Sequence, residues 1–272
     1  MCATCGCSEG ARATVEGQHQ HGHSHEHGTD GHVHGDGHVH DHVHVHEHGP
    51  RTETVSLEAA VLQKNDVLAE RNRAWLAGRN VLALNLVSSP GSGKTALLER
   101  TIREKGGGRS ISVIEGDQRT SLDAERIRAT GAQSVQVNTG TGCHLEADMV
   151  WDALRALRPP ADSVVMIENV GNLVCPALFD LGEAAKVAIL SVTEGEDKPL
   201  KYPHMFQAAR LVLVNKIDLL PHLDVSLERC LGYAREVNPE AELLPVSVKT
   251  GEGLDRWYTW LERAFSWQVP RF

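Results

Sequence analysis

The chain has 272 residues, 41% of them hydrophobic, which is enough for one large or two small domains with a buried core. Its net charge of −9, the absence of a Lys/Arg stripe and the absence of long apolar runs exclude nucleic-acid binding and membrane insertion. The amino terminus has no basic region followed by an apolar stretch. We therefore expect a cytoplasmic protein whose six Cys are thiols or metal ligands rather than disulfides.

Residues 1–50 differ in composition from the rest of the chain. They contain no Phe, Trp, Tyr, Leu, Ile or Lys, and seven acidic residues against one Arg give them −6 of the total charge. Such a segment buries too little apolar surface to offset its ordering entropy. We predict a largely disordered tail that ends at Gly49-Pro50 and precedes a folded region over 51–272.

The tail carries two kinds of metal ligand. Cys2, Cys5 and Cys7 place three thiols within six residues, so they can bind one ion together with the terminal amine or a backbone nitrogen. Thiolates with nitrogen ligands favour square-planar Ni²⁺, whereas all-thiolate sites favour Zn²⁺. In addition, 13 of the 16 His lie between His19 and His48, mostly in His-x-His steps. This array predicts many weak sites and a metal-buffering role.

The folded region is predicted to begin with a helical lead-in within 51–80, with Ser56 as its N-cap and an apolar stripe that includes Val61 and Leu76. Short, nearly continuous apolar runs then alternate with helical segments. This alternation predicts an α/β fold with a mainly parallel sheet flanked by helices. The predicted strands are Val81–Val87, Ile111–Ile114, Ser134–Val137, Val164–Ile167, Lys186–Ser191, Leu211–Val214 and Leu243–Val246.

The first predicted strand leads into Ser88-Ser89-Pro90-Gly91-Ser92-Gly93-Lys94-Thr95 and then into a helix from Ala96. This strand–loop–helix order is typical of a P-loop, in which backbone N–H groups at Gly91, Ser92 and Gly93 surround phosphate oxygens. Lys94 is expected to reach the β- and γ-phosphates, and the Thr95 hydroxyl to bind Mg²⁺. Ser88 replaces the usual first Gly, and we interpret it as a small residue that still permits the turn.

A second motif indicates guanine. Asn215-Lys216-Ile217-Asp218 follows the strand Leu211–Val214, and in GTPases the Asp carboxylate of this pattern accepts two hydrogen bonds that adenine cannot donate. Charge-assisted bonds contribute on the order of 1.5–3 kcal/mol each, enough to select GTP over ATP. Ser247-Val248-Lys249-Thr250 resembles the loop behind guanine O6, so Ser247 and Lys249 are further candidates.

Two acidic residues complete the predicted hydrolytic site. Asp117 follows the second strand and can bind Mg²⁺ or orient water, while Glu168 opens Glu168-Asn169-Val170-Gly171 after the fourth. Lys94, Asp117 and Glu168 therefore form the predicted catalytic set, because phosphoryl transfer needs positioning and charge neutralisation rather than a covalent nucleophile. Arg119 is a candidate activating residue, with a solvated surface Arg as the alternative.

A third set of metal ligands falls within the folded region. Cys143 and His144 follow a Gly-rich stretch, and Cys175 lies seven residues beyond Glu168. Considered alone, they would be ordinary buried side chains. Because both segments are near loops expected to depend on the nucleotide, we predict that they form a metal site. Cys230 is predicted to be a core residue.

Together these motifs resemble the HypB family, the GTPases of [NiFe]-hydrogenase maturation. The matching segments are Cys2 to Cys7, the His-rich stretch, Ser88 to Thr95, Glu115-Gly116-Asp117, Cys143-His144, Glu168 to Pro176, Glu194 to Pro199 and Asn215 to Asp218. The resemblance implies a SIMIBI-type P-loop NTPase and a GTP-dependent homodimer that acts with a HypA-type nickel/zinc accessory protein. It also implies nickel loading into the [NiFe]-hydrogenase large subunit precursor, and a Ni²⁺ or Zn²⁺ site of Cys143, His144 and Cys175 at the dimer interface.

Three other functions are compatible with part of the sequence. A urease-accessory GTPase would also handle nickel, but we would not expect the Cys tail or the Cys143-His144/Cys175 set in it. A nickel-storage or sequestration protein would use mainly the His array, with the GTPase region secondary. An ATP-dependent kinase is disfavoured by Asn215 to Asp218.

Overall fold

A computed structural model describes residues 51–117, 122–140 and 142–268 of the chain. Within these residues seven strands form one sheet in which every neighbouring pair is parallel. The strands are β1 (Leu82–Ser88), β2 (Ile111–Asp117), β3 (Gln133–Asn138), β4 (Val164–Glu168), β5 (Ala185–Ser191), β6 (Ala209–Asn215) and β7 (Glu242–Pro245). Their order across the sheet is β3-β2-β4-β1-β5-β6-β7.

Helices cover both faces of this sheet. The α-helices are α1 (Arg51–Ala77), α2 (Lys94–Lys105), α3 (Leu122–Arg128), α4 (Ala147–Leu157), α5 (Cys175–Leu178), α6 (Lys198–Lys201), α7 (Pro203–Ala208), α8 (Leu227–Val237) and α9 (Leu254–Phe265). Short 3₁₀ segments follow β5, β6 and α9, at Val192–Glu194, Ile217–His222 and Ser266–Gln268. None of the helices in the described ranges is long and apolar enough to cross a membrane.

The predicted parallel α/β fold is confirmed, and each of the seven predicted strands is present. The main difference is β2, which continues three residues beyond Ile114 to Asp117. Its backbone pairs with β3 as far as Asp117↔Asn138. The hydrogen bonds between paired strands are made by backbone groups, so polar side chains at the end of a strand do not end the pairing. For the same reason Glu168 and Asn215 are the last residues of β4 and β6 rather than the loop residues after them.

The helical lead-in is present, but its predicted start is wrong, and its predicted apolar stripe is wrong at Val61. α1 begins at Arg51, so Ser56 lies inside the helix; residues 51–55 contain neither Pro nor Gly to prevent this. Leu76 is buried as predicted, whereas Val61 is 45% exposed. The buried face of α1 instead includes Asn72, whose Nδ2 donates to the carbonyls of Ala147 and Leu181 at 2.7 and 3.0 Å.

Alternate residues of β1 face two different core layers, as strand geometry requires. Leu82, Leu84 and Leu86 pack in the layer formed by α2 and α9. Ala83 packs on the opposite face, in the layer with α1 and α4. Because both faces are covered, the open carboxyl edge of the sheet is the place where loops can build a binding site.

Candidate nucleotide and metal site

The P-loop joins β1 to α2 at the centre of the carboxyl edge. Gly93 adopts φ 104°, in the region that favours Gly, and α2 begins at the next residue rather than at Ala96 as predicted. A Cβ on Gly93 would stand 2.5 Å from Asn215 Nδ2. This position therefore requires Gly both for its backbone angle and for the close approach of β6.

Side chains of the P-loop contact neighbouring segments. Lys94 Nζ donates to Ser88 Oγ at 2.9 Å, so Ser88 supplies a polar contact that the usual Gly could not. Ser92 Oγ donates to Glu194 Oε1 at 2.7 Å, which connects the loop to the segment after β5. The sequence indicated Glu194 only as part of a family motif, and the structure places it against the P-loop.

Four of the five predicted guanine-recognition residues line a cavity of about 610 Å³ beside the P-loop, and the fifth, Ser247, is buried behind it. Asn215 holds two loops together, because its Nδ2 donates to Ser92 O at 2.8 Å and its Oδ1 accepts from Val248 N at 3.1 Å. Ser247 Oγ donates to Asp218 Oδ1 at 2.6 Å and thereby fixes the carboxylate. The cavity is lined by Gly93, Asn215, Lys216, Asp218 and Lys249, among others.

Lys216 connects the same cavity to the phosphate side of the site. It adopts φ 65°, and its Nζ donates to Gly91 O at 2.7 Å. The guanine motif and the P-loop thus form one hydrogen-bonded unit. The structure brings all the predicted nucleotide-binding residues to this unit, and their individual roles stay predictions.

The predicted Mg²⁺ ligands are partly described. Thr95 Oγ1 donates to Glu168 Oε1 at 2.8 Å, and both residues are buried, so two oxygen ligands converge next to Lys94. Oxygen ligands of this kind suit Mg²⁺. Asp117 ends β2, but its side chain and the whole of Arg119 lie outside the described part of the chain. Thr95 and Glu168 thus place two oxygen atoms beside the P-loop, and the magnesium site predicted at Thr95 and Asp117 stays a prediction.

Cys143, His144 and Cys175 meet although they come from two segments. One ligand atom from each lies within 4.8 Å of the others, and Cys143 Sγ is 3.7 Å from His144 Nδ1. The His144 ring packs against the Phe179 ring, with 4.0 Å between centroids. Burial lowers the pKa of His144 to about 4, so its imidazole is neutral near pH 7, the form that binds metals. Two thiols and an imidazole form a ligand set suitable for Ni²⁺ or Zn²⁺.

Two asparagines connect this metal-ligand cluster to the end of β4. Asn169 follows Glu168, and its Oδ1 accepts from Leu145 N at 3.2 Å, next to His144. Asn172 Nδ2 donates to Cys143 O at 3.4 Å. The segment that begins with Glu168 is therefore hydrogen-bonded directly to the segment that carries two of the three candidate ligands. Sequence reasoning gave neither asparagine a role.

The remaining predicted metal ligands, Cys2, Cys5, Cys7 and the His array, lie outside the described residues. Cys230 is 1% exposed and packs in the core, as predicted. Burial, assisted by the charges of Glu196 and Glu194, raises the pKa of its thiol to about 11. A buried, protonated thiol of this kind is a structural residue rather than a metal ligand.

Comparison with known proteins agrees with this arrangement. Residues 82–245 match the family model described as CobW/HypB/UreG, nucleotide-binding domain. The hydrogenase maturation factor HypB of Escherichia coli strain K12 is 50% identical over 96% of this chain and 98% of its own length. The chain belongs to the HypB family.

Solved structures of HypB proteins share the fold of this HypB-family chain. HypB from Archaeoglobus fulgidus is 38% identical, with a TM-score of 0.70 over 75% of this chain and 100% of that one. HypB from Helicobacter pylori, solved in complex with nickel, is 35% identical, with a TM-score of 0.72 over 77% and 99% of the two chains. The family resemblance expected from the motifs is thus confirmed, and the chain contains the nucleotide-binding fold of this family.

Proposed function

We propose that this chain is a GTP-hydrolysing nickel metallochaperone that inserts nickel into the [NiFe]-hydrogenase large subunit precursor. It acts as a cytoplasmic, GTP-dependent homodimer with a HypA-type nickel/zinc accessory protein. Zn²⁺ is an alternative occupant of the thiol sites. The names of the relatives and the nickel complex of the Helicobacter pylori protein support this role. The observation that carries it is the pair of hydrogen bonds that join the segment after β4 to Cys143–Leu145: Asn169 accepts from Leu145 N, and Asn172 donates to Cys143 O.

Different residues of the site have different roles in GTP binding and hydrolysis. The P-loop amides and Lys94 hold the phosphates, Asp218 selects guanine, and Thr95 with Asp117 holds Mg²⁺, which neutralises phosphate charge when bound. Glu168 senses the γ-phosphate side through its hydrogen bond with Thr95. A shift of the segment after Glu168 reaches the metal-ligand cluster through Asn169 and Asn172. Nucleotide state thereby changes the affinity for nickel.

The test is a measurement of nickel affinity in two nucleotide states. It uses a full-length tail-substituted protein, in which Cys2, Cys5 and Cys7 are Ser and the 13 His between His19 and His48 are Asn, so that tail ligands do not contribute. Linkage requires that the nucleotide and nickel affect each other's affinity by the same factor. We expect nickel Kd values that differ between a GTP analogue and GDP. Equal nickel Kd values in the two states would show that nucleotide and nickel binding are not coupled.

A cellular experiment separates delivery from storage. The array of 13 His favours storage of nickel by the tail as a second function. If delivery is the main role, deletion of the gene abolishes hydrogenase activity, excess nickel restores it, and Lys94→Ala does not complement. Under the storage alternative, Lys94→Ala leaves hydrogenase activity unaffected, and the main phenotype is in nickel tolerance.

A further inference from the structure

His144 presents its two ring nitrogens to different groups. Nδ1 is the nitrogen 3.7 Å from Cys143 Sγ. Nε2 is buried on the other side of the ring, where it has no hydrogen-bond partner among the described residues, and Glu146 Oε1 lies 3.7 Å from it. Packing against Phe179 holds the ring in this orientation. The thiol side of the ring is therefore Nδ1, and the carboxylate side is Nε2.

The charged and titratable neighbours of the Glu146 carboxylate include His144, Lys64 and Asp148. Glu146 is the N-cap residue of α4, but its side chain makes no capping hydrogen bond. Its side chain is 40% exposed, and within the described ranges the one ion-pair contact recorded for it is with His144. A movement of less than about 1 Å would convert the 3.7 Å contact between Glu146 Oε1 and His144 Nε2 into a charge-assisted hydrogen bond.

We propose that Glu146 is the positioning residue of the metal site: it accepts a hydrogen bond from His144 Nε2–H and so directs Nδ1 to the ion. This proposal deepens the proposed function and depends on it. A neutral imidazole has one N–H donor and one nitrogen free to bind a metal, so fixing the proton on Nε2 fixes Nδ1 as the ligand. Carboxylate partners of metal-bound His also raise the basicity of the ring.

The test compares substitutions in the tail-substituted protein without nucleotide. Its remaining His are His144, His204 and His222, which keeps the imidazole signals few. Nickel and zinc affinities are measured by competition with a chromophoric chelator. We expect Glu146→Ala to weaken binding about 10–100-fold, the range for loss of such a partner, and Glu146→Gln to give an intermediate loss because an amide oxygen still accepts the bond.

Asp148→Asn is the matched control. It removes a carboxylate from the first turn of the same helix, but Asp148 contacts its neighbour Met149 N rather than the cluster. Its metal affinity stays within about twofold of the parent if the effect of Glu146 is a hydrogen bond rather than general charge. Equal losses in Asp148→Asn and Glu146→Ala would overturn the proposal. Because Glu146 makes no capping bond, the thermal midpoints of Glu146→Ala and Glu146→Gln are expected to match the parent.

Proton location gives a second readout that a purely structural role would not affect. In the zinc-bound protein, ¹⁵N NMR of the His side chains is expected to show Nδ1 of His144 coordinated and Nε2 protonated. Coordination through Nε2, or an unchanged affinity in Glu146→Ala, overturns the role of Glu146 alone. If Cys143→Ala, His144→Ala and Cys175→Ala together leave the affinity unchanged, the metal site itself is wrong, and both proposals fail.

Discussion

Asn169→Ala tests directly how the nucleotide site reaches the metal-ligand cluster. The Asn169 side chain donates to Asn85 Oδ1 at 3.2 Å and accepts from the backbone N–H groups of Leu145 and Val170, at 3.2 and 2.9 Å. Substitution by Ala leaves these three buried groups without the partner. At about 1–3 kcal/mol for each unsatisfied group, the free energy of unfolding falls by at least roughly 3 kcal/mol.

Two measurements test this substitution, one of stability and one of coupling. The thermal midpoint, read by circular dichroism, is expected to fall by at least roughly 6–12 °C, since about 1 kcal/mol corresponds to 2–4 °C in a domain of this size. The ratio of nickel Kd values between GDP and a GTP analogue, of about 5–150-fold if coupling is of ordinary strength, is expected to approach one in Asn169→Ala. Both use the tail-substituted protein.

Asn238→Ala controls for destabilisation alone. Asn238 Nδ2 donates to the carbonyls of Phe206 and Ala209, each at 2.9 Å, and neither belongs to the nucleotide site or the metal-ligand cluster. This variant is expected to lose stability and keep the full ratio of Kd values. If Asn169→Ala keeps that ratio while its midpoint falls as calculated, Asn169 does not carry the coupling, and our reasoning about it is refuted.

Three further predictions concern individual residues. Asp218→Asn removes the carboxylate that is predicted to accept two charge-assisted hydrogen bonds from guanine. The affinity for GDP, measured by fluorescence titration, is therefore expected to fall by about 10²–10⁴-fold. A loss under tenfold would contradict guanine recognition by this residue. Gly93→Ala places a Cβ 2.5 Å from Asn215 Nδ2 on a residue whose φ is 104°, so nucleotide binding, measured by calorimetry, is expected to vanish. The control is Gly232→Ala in α8, because the space around its Cβ position is open. Cys230, with a pKa of about 11, stays protonated below pH 10, so a thiol reagent at pH 8 is expected to modify it only after unfolding, and labelling of the native protein at Cys230 would contradict its burial.

The sequence predicts the strands and the nucleotide motifs well because both signals are local. A buried parallel strand is a short apolar run, and the P-loop and Asn215 to Asp218 are contiguous motifs placed at strand ends. The lead-in helix was less predictable, because its buried face includes Asn72, which is satisfied by carbonyls of Ala147 and Leu181 far along the chain. No hydropathy pattern shows that an Asn faces the core when its partners are that distant.

The unpredicted part of the site has the same physical origin. Ser92 and Glu194 form a hydrogen bond although they are 102 residues apart in the sequence. Phe179 packs on His144, and Glu146 faces that ring only because of the backbone turn before α4. One local signal was present: Asn85 is the single polar residue inside the apolar run of β1, and a buried polar residue in such a run requires a partner.

Asn169 is that partner, and through it we expect a nucleotide and a metal to affect each other without sharing a ligand. Two hydrogen bonds separate the Thr95 hydroxyl from the backbone next to His144: Thr95 to Glu168, and Leu145 N to Asn169. Asn169 also bonds Asn85 on β1, and Asn85 Nδ2 donates to buried Glu183, which Lys186 neutralises at 2.6 Å. Such buried polar chains fix the relative positions of the segments they join, because the partners of any member that moves are left unsatisfied. We therefore expect a change at the phosphate side of β4 to reach the metal ligands, which is the outcome that Asn169→Ala tests.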